Sequence, residues 1–426
     1  MSENKKQQLV PRVRFPEFRD AGEWITVELG KLSRLLTERV GSATCTPYTI
    51  TSGVGLISQE EKLGRTIAGN SLKNYLVLQE NDFAYNKSAT KAYPQGFIAL
   101  YAGGERAAVP NSIFTCFRVN QNQVIPTFLD ALFASNLHGK WLRTRIAVGA
   151  RAHGSLQVSD DDLMATPVPL PNGTNALEEQ QKIADCLSSL DDLIAAETQK
   201  LDTLKTHKKG LMQQLFPREG ETVPRLRFPE FRNLGEWKEK SISDFGEIIT
   251  GSTPSTAHPE FYGGGIPFVS PADISDLRWV SDTKTTLSAL GFEKTRPIKA
   301  NSVLFVCIGS TIGKVTQNVR DCATNQQINS VIPNSEHSGG FVYYVLSLNA
   351  ERIAKLAGIQ AVPIINKTQF SAVRLLVPEF SEQDRIANCF SSLDDFIAAQ
   401  SQKIDVLMIH KKGLMEQLFP VISEVG

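Results

Sequence analysis

The sequence predicts an α+β protein: two mixed α/β modules separated by two long helices that form an antiparallel coiled coil, the whole arranged as a pseudo-two-fold repeat. Three observations predict this. A lead-in segment occurs twice, a long helical stretch with heptad spacing occurs twice, and two unlike stretches of similar length lie between them. The 426 residues also exceed the ~250–300 at which a single hydrophobic core stops growing.

The lead-in VPRVRFPEFRDAGEW at residues 10–24 returns as VPRLRFPEFRNLGEW at 223–237. Its two prolines and its glycine make each copy an extended, kinked approach and not a helix. The longer repeat, QQKIADCLSSLDDLIAAETQKLDTLKTHKKGLMQQLFP at 180–217, returns as QDRIANCFSSLDDFIAAQSQKIDVLMIHKKGLMEQLFP at 383–420, with 26 of 38 aligned positions identical. These repeats divide the chain into a first module with its lead-in (1–178), a first helical region (179–217), a second module (218–381) and a second helical region (382–426). In the modules, strand-like runs such as TPYTITSG, GFIALYAGG, SVLFVCIG and NSVIP are punctuated by Gly, Asn and Pro, and helical patterns (FLDALFASNLHGKWLRT, FVYYVLSLNAERIAKLAG) interrupt them.

In the first helical region Ile183, Leu187, Leu190, Ile194, Leu201, Leu204, Leu211 and Leu215 step by fours and threes. The second copy carries Ile386, Phe390, Leu393, Ile397, Ile404, Leu407, Leu414 and Leu418 in the same register. The interruptions match too, since Glu197 and Lys208 stand where Gln400 and Lys411 do. Shared seam and shared breaks predict that the helices pair with each other; the alternative is that each caps its own neighbouring module. About 35 residues at ~1.5 Å rise give a rod of roughly 50 Å, with Gly210 and Gly413 expected to bend or end it.

Composition narrows the function. With 41% hydrophobic and 21% charged residues the chain reads as globular. Lys plus Arg equals Asp plus Glu at 45 each, so a polyanion site has to be a local patch. The polar start MSENKKQQLV and the lack of any ~18-residue apolar run predict a cytoplasmic protein with no membrane partner. Six scattered cysteines without a CxxC pair predict reduced thiols and no metal site. GSTIGKV at 309–315 has three residues between its glycines and Val after Lys, so it fails as a phosphate loop, and SGVGLIS at 52–58 lacks the third glycine of a dinucleotide fingerprint. His207 and His410 are equivalent repeat positions near helix ends, a setting that favours a dipole interaction over metal ligation. No catalytic residue is predicted and no cofactor on this chain.

The modules do carry local cations beside amides and aromatics. Lys140, Arg143, Arg145 and Arg151 lie in an acid-free run, and Tyr85, Lys87 and Lys91 precede it. In the second module Lys294, Arg296, Lys299, Lys314 and Arg320 are accompanied by Ser310, Thr311, Asn325, Gln326, Gln327, Lys367 and Gln369. Arg and Lys clamp phosphates or read guanine, while Asn and Gln read adenine, so these residues are candidate contacts to double-stranded DNA.

The strings EEQQKIADCLSSLDDLI and SEQDRIANCFSSLDDFI, the endings KKGLMQQLF and KKGLMEQLF, and in the second module GEIITGSTPS, GGIPFVSPADI, NSVLFVCIGSTIGKV and ATNQQINSV together resemble the specificity subunit of Type I restriction-modification systems over nearly the whole chain. The first module departs, with GKLSRLLTERVG in place of the G-x-TPS turn. The resemblance implies two target-recognition domains, each reading one half of a bipartite asymmetric DNA site, with the helices setting the gap. It implies two methylation subunits and motor-nuclease subunits as partners, with S-adenosylmethionine, ATP and magnesium on those partners. Rival readings are a specificity subunit whose partner fuses methylase and nuclease, a freestanding DNA-binding protein, and a nuclease with unrecognised carboxylates.

Overall fold

The computed structural model describes residues 9–51, 54–146, 156–358 and 362–421. The chain forms two compact units, and they are not its two sequence halves. The first joins Met1–Ala196 to Asp405–Gly426; the second is Glu197–Ile404.

In the first unit a four-stranded antiparallel sheet runs in the order Ser33–Leu35, Phe114–Val119, Asp82–Asn86, Phe97–Leu100. A second sheet orders Gly55–Ser58, Thr46–Thr51, Ala107–Val109 and Leu76–Leu78, with one parallel pair at its centre. Helix α1 (Pro126–Ala134), started by proline at its first turn, packs Phe128, Leu129, Leu132 and Phe133 inward. The ribbon Ile25–Glu28 with Pro167–Leu170 then leads into helix α2 (Ala176–Leu215). Thr46–Thr51 and Gly55–Ser58 pair antiparallel, and Ser52 and Gly53 of the SGVG string lie outside the described residues.

The second unit repeats this plan in unlike sequence. Its main sheet orders Gly246–Thr250, Ile328–Pro333, Val303–Val306, Val315–Asn318 and a short extra edge, Trp279–Val280. Val303–Val306 is buried on both faces, which is why it reads as an unbroken apolar run. Tyr262–Val269 pairs parallel with Ala323–Thr324. Helix α3 (Gly339–Leu348) stands where α1 does in the first unit, and the ribbon Lys238–Ser241 with Arg374–Val377 leads into helix α4 (Phe380–Leu418).

The duplicated lead-ins make the same buried lock. Each contains one 3-10 turn, Pro16–Phe18 and Pro229–Phe231, in otherwise irregular chain. Arg14 donates a two-pronged pair of hydrogen bonds to Glu179, each 2.7 Å, and a third to the Gly22 carbonyl. Arg227 does the same to Glu382 at 2.7 and 2.6 Å, and reaches the Leu234 and Gly235 carbonyls. The neighbouring glutamines act alike. Gln180 accepts from Ile125 N–H at the start of α1, and Gln383 accepts from Ser338 N–H at the start of α3, so each ties a long helix to an otherwise unsatisfied helix end.

Within each unit the long helices are antiparallel and the expected seam faces inward. In the first unit Ile183, Ala184 and Leu187 share a core with Met415, Leu418 and Phe419, and Leu414 packs against it. In the second, Leu215 and Phe216 share a core with Ile386, Ala387 and Phe390, flanked by Leu211, Met212 and Leu393. Leu201 and Ile404 are also buried, and Leu190, Ile194, Leu204, Ile397 and Leu407 are half-buried. The helices therefore pair and cap the modules at the same time, so the two arrangements weighed for them do not exclude each other.

The breaks in the heptad pattern are polar layers. Lys411 binds Asp191 at 2.5 and 2.7 Å in the first unit, and the repeat-equivalent Lys208 binds Asp394 in the second. Glu197 and Gln400, which align with each other in the repeat, meet directly: Gln400 Nε2 donates to the Glu197 backbone carbonyl at 3.0 Å and to its carboxylate, while Lys403 donates to the other carboxylate oxygen. Lys403 and Gln400 hold the Glu197 carboxyl below its usual range.

Two expectations are corrected here. Gly210 and Gly413 do not end their helices, which run on to Leu215 and Leu418 because the side chains that follow, Leu215, Met415 and Leu418 buried and Leu211, Met212 and Leu414 half-buried, offset the ~1 kcal/mol that an internal glycine costs. The helices have 40 and 39 residues, about 60 Å at ~1.5 Å rise, rather than 50 Å.

Removing one partner of a buried ion pair strands the other, so Arg227→Ala should destabilise the second unit by about 3–5 kcal/mol in chemical denaturation of the full chain; a loss below 1 kcal/mol would show that the lock carries no weight. At the polar layer Gln400→Glu should lower the stability of the full chain by setting two carboxylates face to face. Adding Glu197→Gln to the same chain should recover most of that, since Lys200 then stands to the new carboxylate as Lys403 stands to the old. A double variant as unstable as the single one would deny the equivalence.

Candidate nucleic-acid interface

In the second module three loops converge at one end of the main sheet. The loop after Gly246–Thr250 is pinned by Gly251 N–H to the Ile328 carbonyl and by Ser252 N–H to the Thr324 carbonyl. Gly251 has no room for a side chain: a Cβ there would stand 2.2 Å from the Asn325 carbonyl oxygen. Thr253 Oγ1 then donates to Gln326 Oε1 at 2.7 Å, joining this loop to the Asn325–Gln327 turn. Asn325 accepts from Gln327 N–H and donates to Gln327 Oε1 at 2.9 Å, and Gln327 Nε2 donates to the Ile308 carbonyl in the third loop. That third loop, 307–314, turns at Gly309 and Gly313, both with positive φ, and no helix follows it, in keeping with its failure as a phosphate loop. Gly309 N–H also donates to the Pro363 carbonyl.

This places the candidates unevenly. Gln326 is exposed at the centre of the cluster, with its carbonyl oriented by Thr253, while Asn325 and Gln327 are half-buried and brace the loops. Ser310 is exposed and Thr311 half-buried on the third loop. Arg296 is exposed and donates to the Thr250 carbonyl at 2.8 Å, so its guanidinium sits beside the first loop. Lys314 is exposed with its ammonium on the Ile274 carbonyl at 2.8 Å; Lys294 is exposed; Lys299 is exposed but paired with Asp321 at 3.5 Å. Lys367 opens the short helix Lys367–Ser371. Gln369 is exposed; its side-chain carbonyl accepts from Asn366 N–H while Asn366 accepts from Gln369 N–H, a capping box that commits that carbonyl to the helix start. Thr253 is the member of this loop cluster that composition missed; its only sequence signal is the GSTPS turn.

In the first module Tyr85 is corrected outright. It is fully buried, its hydroxyl donates to the Gln95 carbonyl at 2.8 Å, and its ring lies edge-on to His138, so its apolar neighbours take it out of the surface. Lys87 is half-buried and pairs with Asp160 at 3.4 Å, whereas Lys91 is exposed on the same loop. Lys140 and Arg143 are exposed on and just after the helix Leu137–Leu142, and Arg145 stacks on Trp141 with its guanidinium carbon 3.2 Å from the ring centroid. Arg151 lies outside the described residues.

Burial holds two groups of the modules in their neutral forms. Burial pushes the Cys307 thiol up to about 12, and all six cysteines are unpaired. Burial lowers His138, whose Nε2 lies 3.2 Å from the Gly96 carbonyl oxygen, to about 4. Among the described residues no three His, Cys, Asp or Glu are grouped as a metal ion would need, and no helix is long and apolar enough to cross a membrane.

Because His138 is neutral in the fold and charges more readily in the unfolded chain, its contribution should be intact above pH ~6.5 and lost as pH falls toward 4. His138→Gln should flatten that part of the stability profile of the full chain. An unchanged slope would place the acid sensitivity elsewhere.

Comparison with known proteins agrees with this architecture. A family model described as "Type I restriction modification DNA specificity domain" matches residues 67–206 and 235–408. The specificity subunit of the Type I restriction enzyme HindI from Haemophilus influenzae is 26% identical over 336 residues, covering 63% of this chain and 71% of that protein. Among solved structures, the Type I restriction-modification S subunit from M. genitalium aligns with a TM-score of 0.61 at 14% identity, covering 97% of this chain and 100% of that one. A chain from a study of complex assembly and conformational transition in the Type I system aligns with a TM-score of 0.57 at 19% identity, covering 93% and 97%. The structural likenesses speak for the fold, and the family model spans most of both modules and both long helices, so the chain belongs to the Type I restriction-modification DNA specificity family.

Proposed function

We propose that this chain is the DNA sequence-specificity subunit of a Type I restriction-modification complex. Each module reads one half of a bipartite, asymmetric duplex site. The paired helices set the unread gap and dock two methylation subunits, and motor-nuclease subunits join for cleavage. The observation that carries this reading is the internal duplication: two modules of the same sheet order but different sequence, each locked by the same Arg–Glu fork to an equivalent helix. One reader repeated would need no divergence, and two unrelated readers would need no common lock. Helices of about 60 Å exceed one turn of duplex, ~34–36 Å, which suits a site interrupted by unread base pairs.

The chain's own residues bind and discriminate. Arg296 and Lys294 grip phosphates, and Gln326, oriented by Thr253, offers its amide to a base edge. S-adenosylmethionine, ATP and magnesium act on the partner subunits in the cytoplasm, and this chain supplies no catalytic group.

Deleting the chain from its host should abolish one bipartite adenine-methylation motif in the methylome; an unchanged methylome would overturn the proposal. Arg296→Ala should weaken binding to all duplexes and lower the salt dependence by about one ion, while Gln326→Ala should relax one base position. Unchanged affinity and salt slope would remove Arg296 from the interface.

A further inference from the structure

The first module has no G-x-TPS turn and no TNQQIN run, so its readers are not visible in the sequence, but the two modules can be aligned through their backbone hydrogen bonds. In the second module Val306 pairs with Ile328, Cys307 N–H donates to the Gln327 carbonyl at 2.8 Å, and Ile365 N–H donates to the Cys307 carbonyl at 2.8 Å. In the first, Asn86 pairs with Phe114, Lys87 N–H donates to the Ile113 carbonyl at 2.8 Å, and Leu156 N–H donates to the Lys87 carbonyl at 2.7 Å. The preceding short strands agree, since Ala323–Thr324 and Ala107–Val109 each run parallel to the longer strand of the second sheet. Ile113 therefore occupies the place of Gln327, Ser112 that of Gln326, and Asn111 that of Asn325.

Building on the specificity reading, we infer that the Asn111–Ser112 turn is the base-reading element of the first module, with the Asn111 amide directed to an adenine edge and Lys91 to a neighbouring phosphate. Three observations support it. Both side chains are exposed: Ser112 stands where the second module exposes Gln326, and Asn111 stands where the second module half-buries Asn325 as a brace. The turn is held by backbone alone: Pro110 fixes its start, and Ile113 and Phe114 N–H both donate to the Pro110 carbonyl, at 3.4 and 3.2 Å. Among the described residues neither the Asn111 amide nor the Ser112 hydroxyl has a hydrogen-bond partner, so the donor and acceptor pair that an adenine edge matches is uncommitted. The neighbouring loop brings Lys91 exposed and without an acid partner, unlike Lys87, which Asp160 engages. The elements that differ between modules are the side chains and not their scaffold, which is what two readers of different half-sites require.

The test is selection of the full chain, assembled with its methylation subunits, on a randomised duplex library. The wild type should select a motif with two defined halves, and Asn111→Ala should lose about tenfold or more of its preference at one position of one half. Asn111→Asp, which keeps size but loses the donor, should alter the preference at that same position, and Gln326→Ala should act only in the other half. Thermal melting of each variant reports its folding, and the Asp variant at this solvent-facing turn serves if the Ala variant melts early. A doubly substituted Asn111→Ala, Ser112→Ala chain that selects the wild-type motif at wild-type affinity would overturn the inference while leaving the specificity reading intact. A wild-type complex that selects no motif would overturn that reading, and this inference with it.

Discussion

The antiparallel pairing of the two long helices is the constraint on which the rest depends. Neither module closes its own core. Ile183 and Leu187 bring the start of α2 into the first unit, but Met415, Leu418 and Phe419 from the end of α4 complete it; Phe390 and Ile386 need Leu215 and Phe216 in the same way. Phe419 lies edge-on to Phe128, and Phe216 stacks on Phe341 and Phe390, so aromatic packing at both places depends on a segment distant in sequence. A helix that must serve one module with its first turns and the other with its last has to present the same surface twice, which accounts for the long repeat with 26 of 38 positions identical. The fork from Arg14 to Glu179, and from Arg227 to Glu382, is the local expression of the same requirement.

The seam was legible because period and repetition are properties of sequence. Matching breaks at Glu197, Lys208, Gln400 and Lys411 revealed shared register, although only coordinates show that each break is a hydrogen-bonded layer. The common sheet order of the modules was not legible, since a buried strand accepts many apolar side chains and SVLFVCIG and NDFAYN share no motif beyond that. Helix continuation through Gly210 and Gly413 was misjudged because local propensity was outweighed by burial downstream. Tyr85 was misplaced for a related reason. Composition identifies groups able to bind DNA but cannot tell which of them the fold has already engaged.

The candidate interface shows how two modules on one scaffold can differ. In the second, Asn325, Gln327, Thr253 and the Ile308 carbonyl form a connected polar cluster that orders the loops around Gln326. In the first, short side chains stand on a turn ordered by Pro110 and backbone bonds. A zero net charge is compatible with both, because a local site needs only local cations; two of the candidates are already paired, Lys87 with Asp160 and Lys299 with Asp321. Discrimination rather than bulk electrostatic attraction is what such an arrangement favours.

The central claim is that the cooperative units interleave along the chain. It is tested most directly by hydrogen exchange on the full protein carrying Phe128→Ala, a substitution confined to the first core. Protection should fall in residues 9–196 and, together with them, in the last turns of α4 from residue 405 onward, while 197–404 exchanges more slowly. If the whole of α4 keeps the protection of the second module while the first loses its own, the sequence halves are the folding units and the account is contradicted.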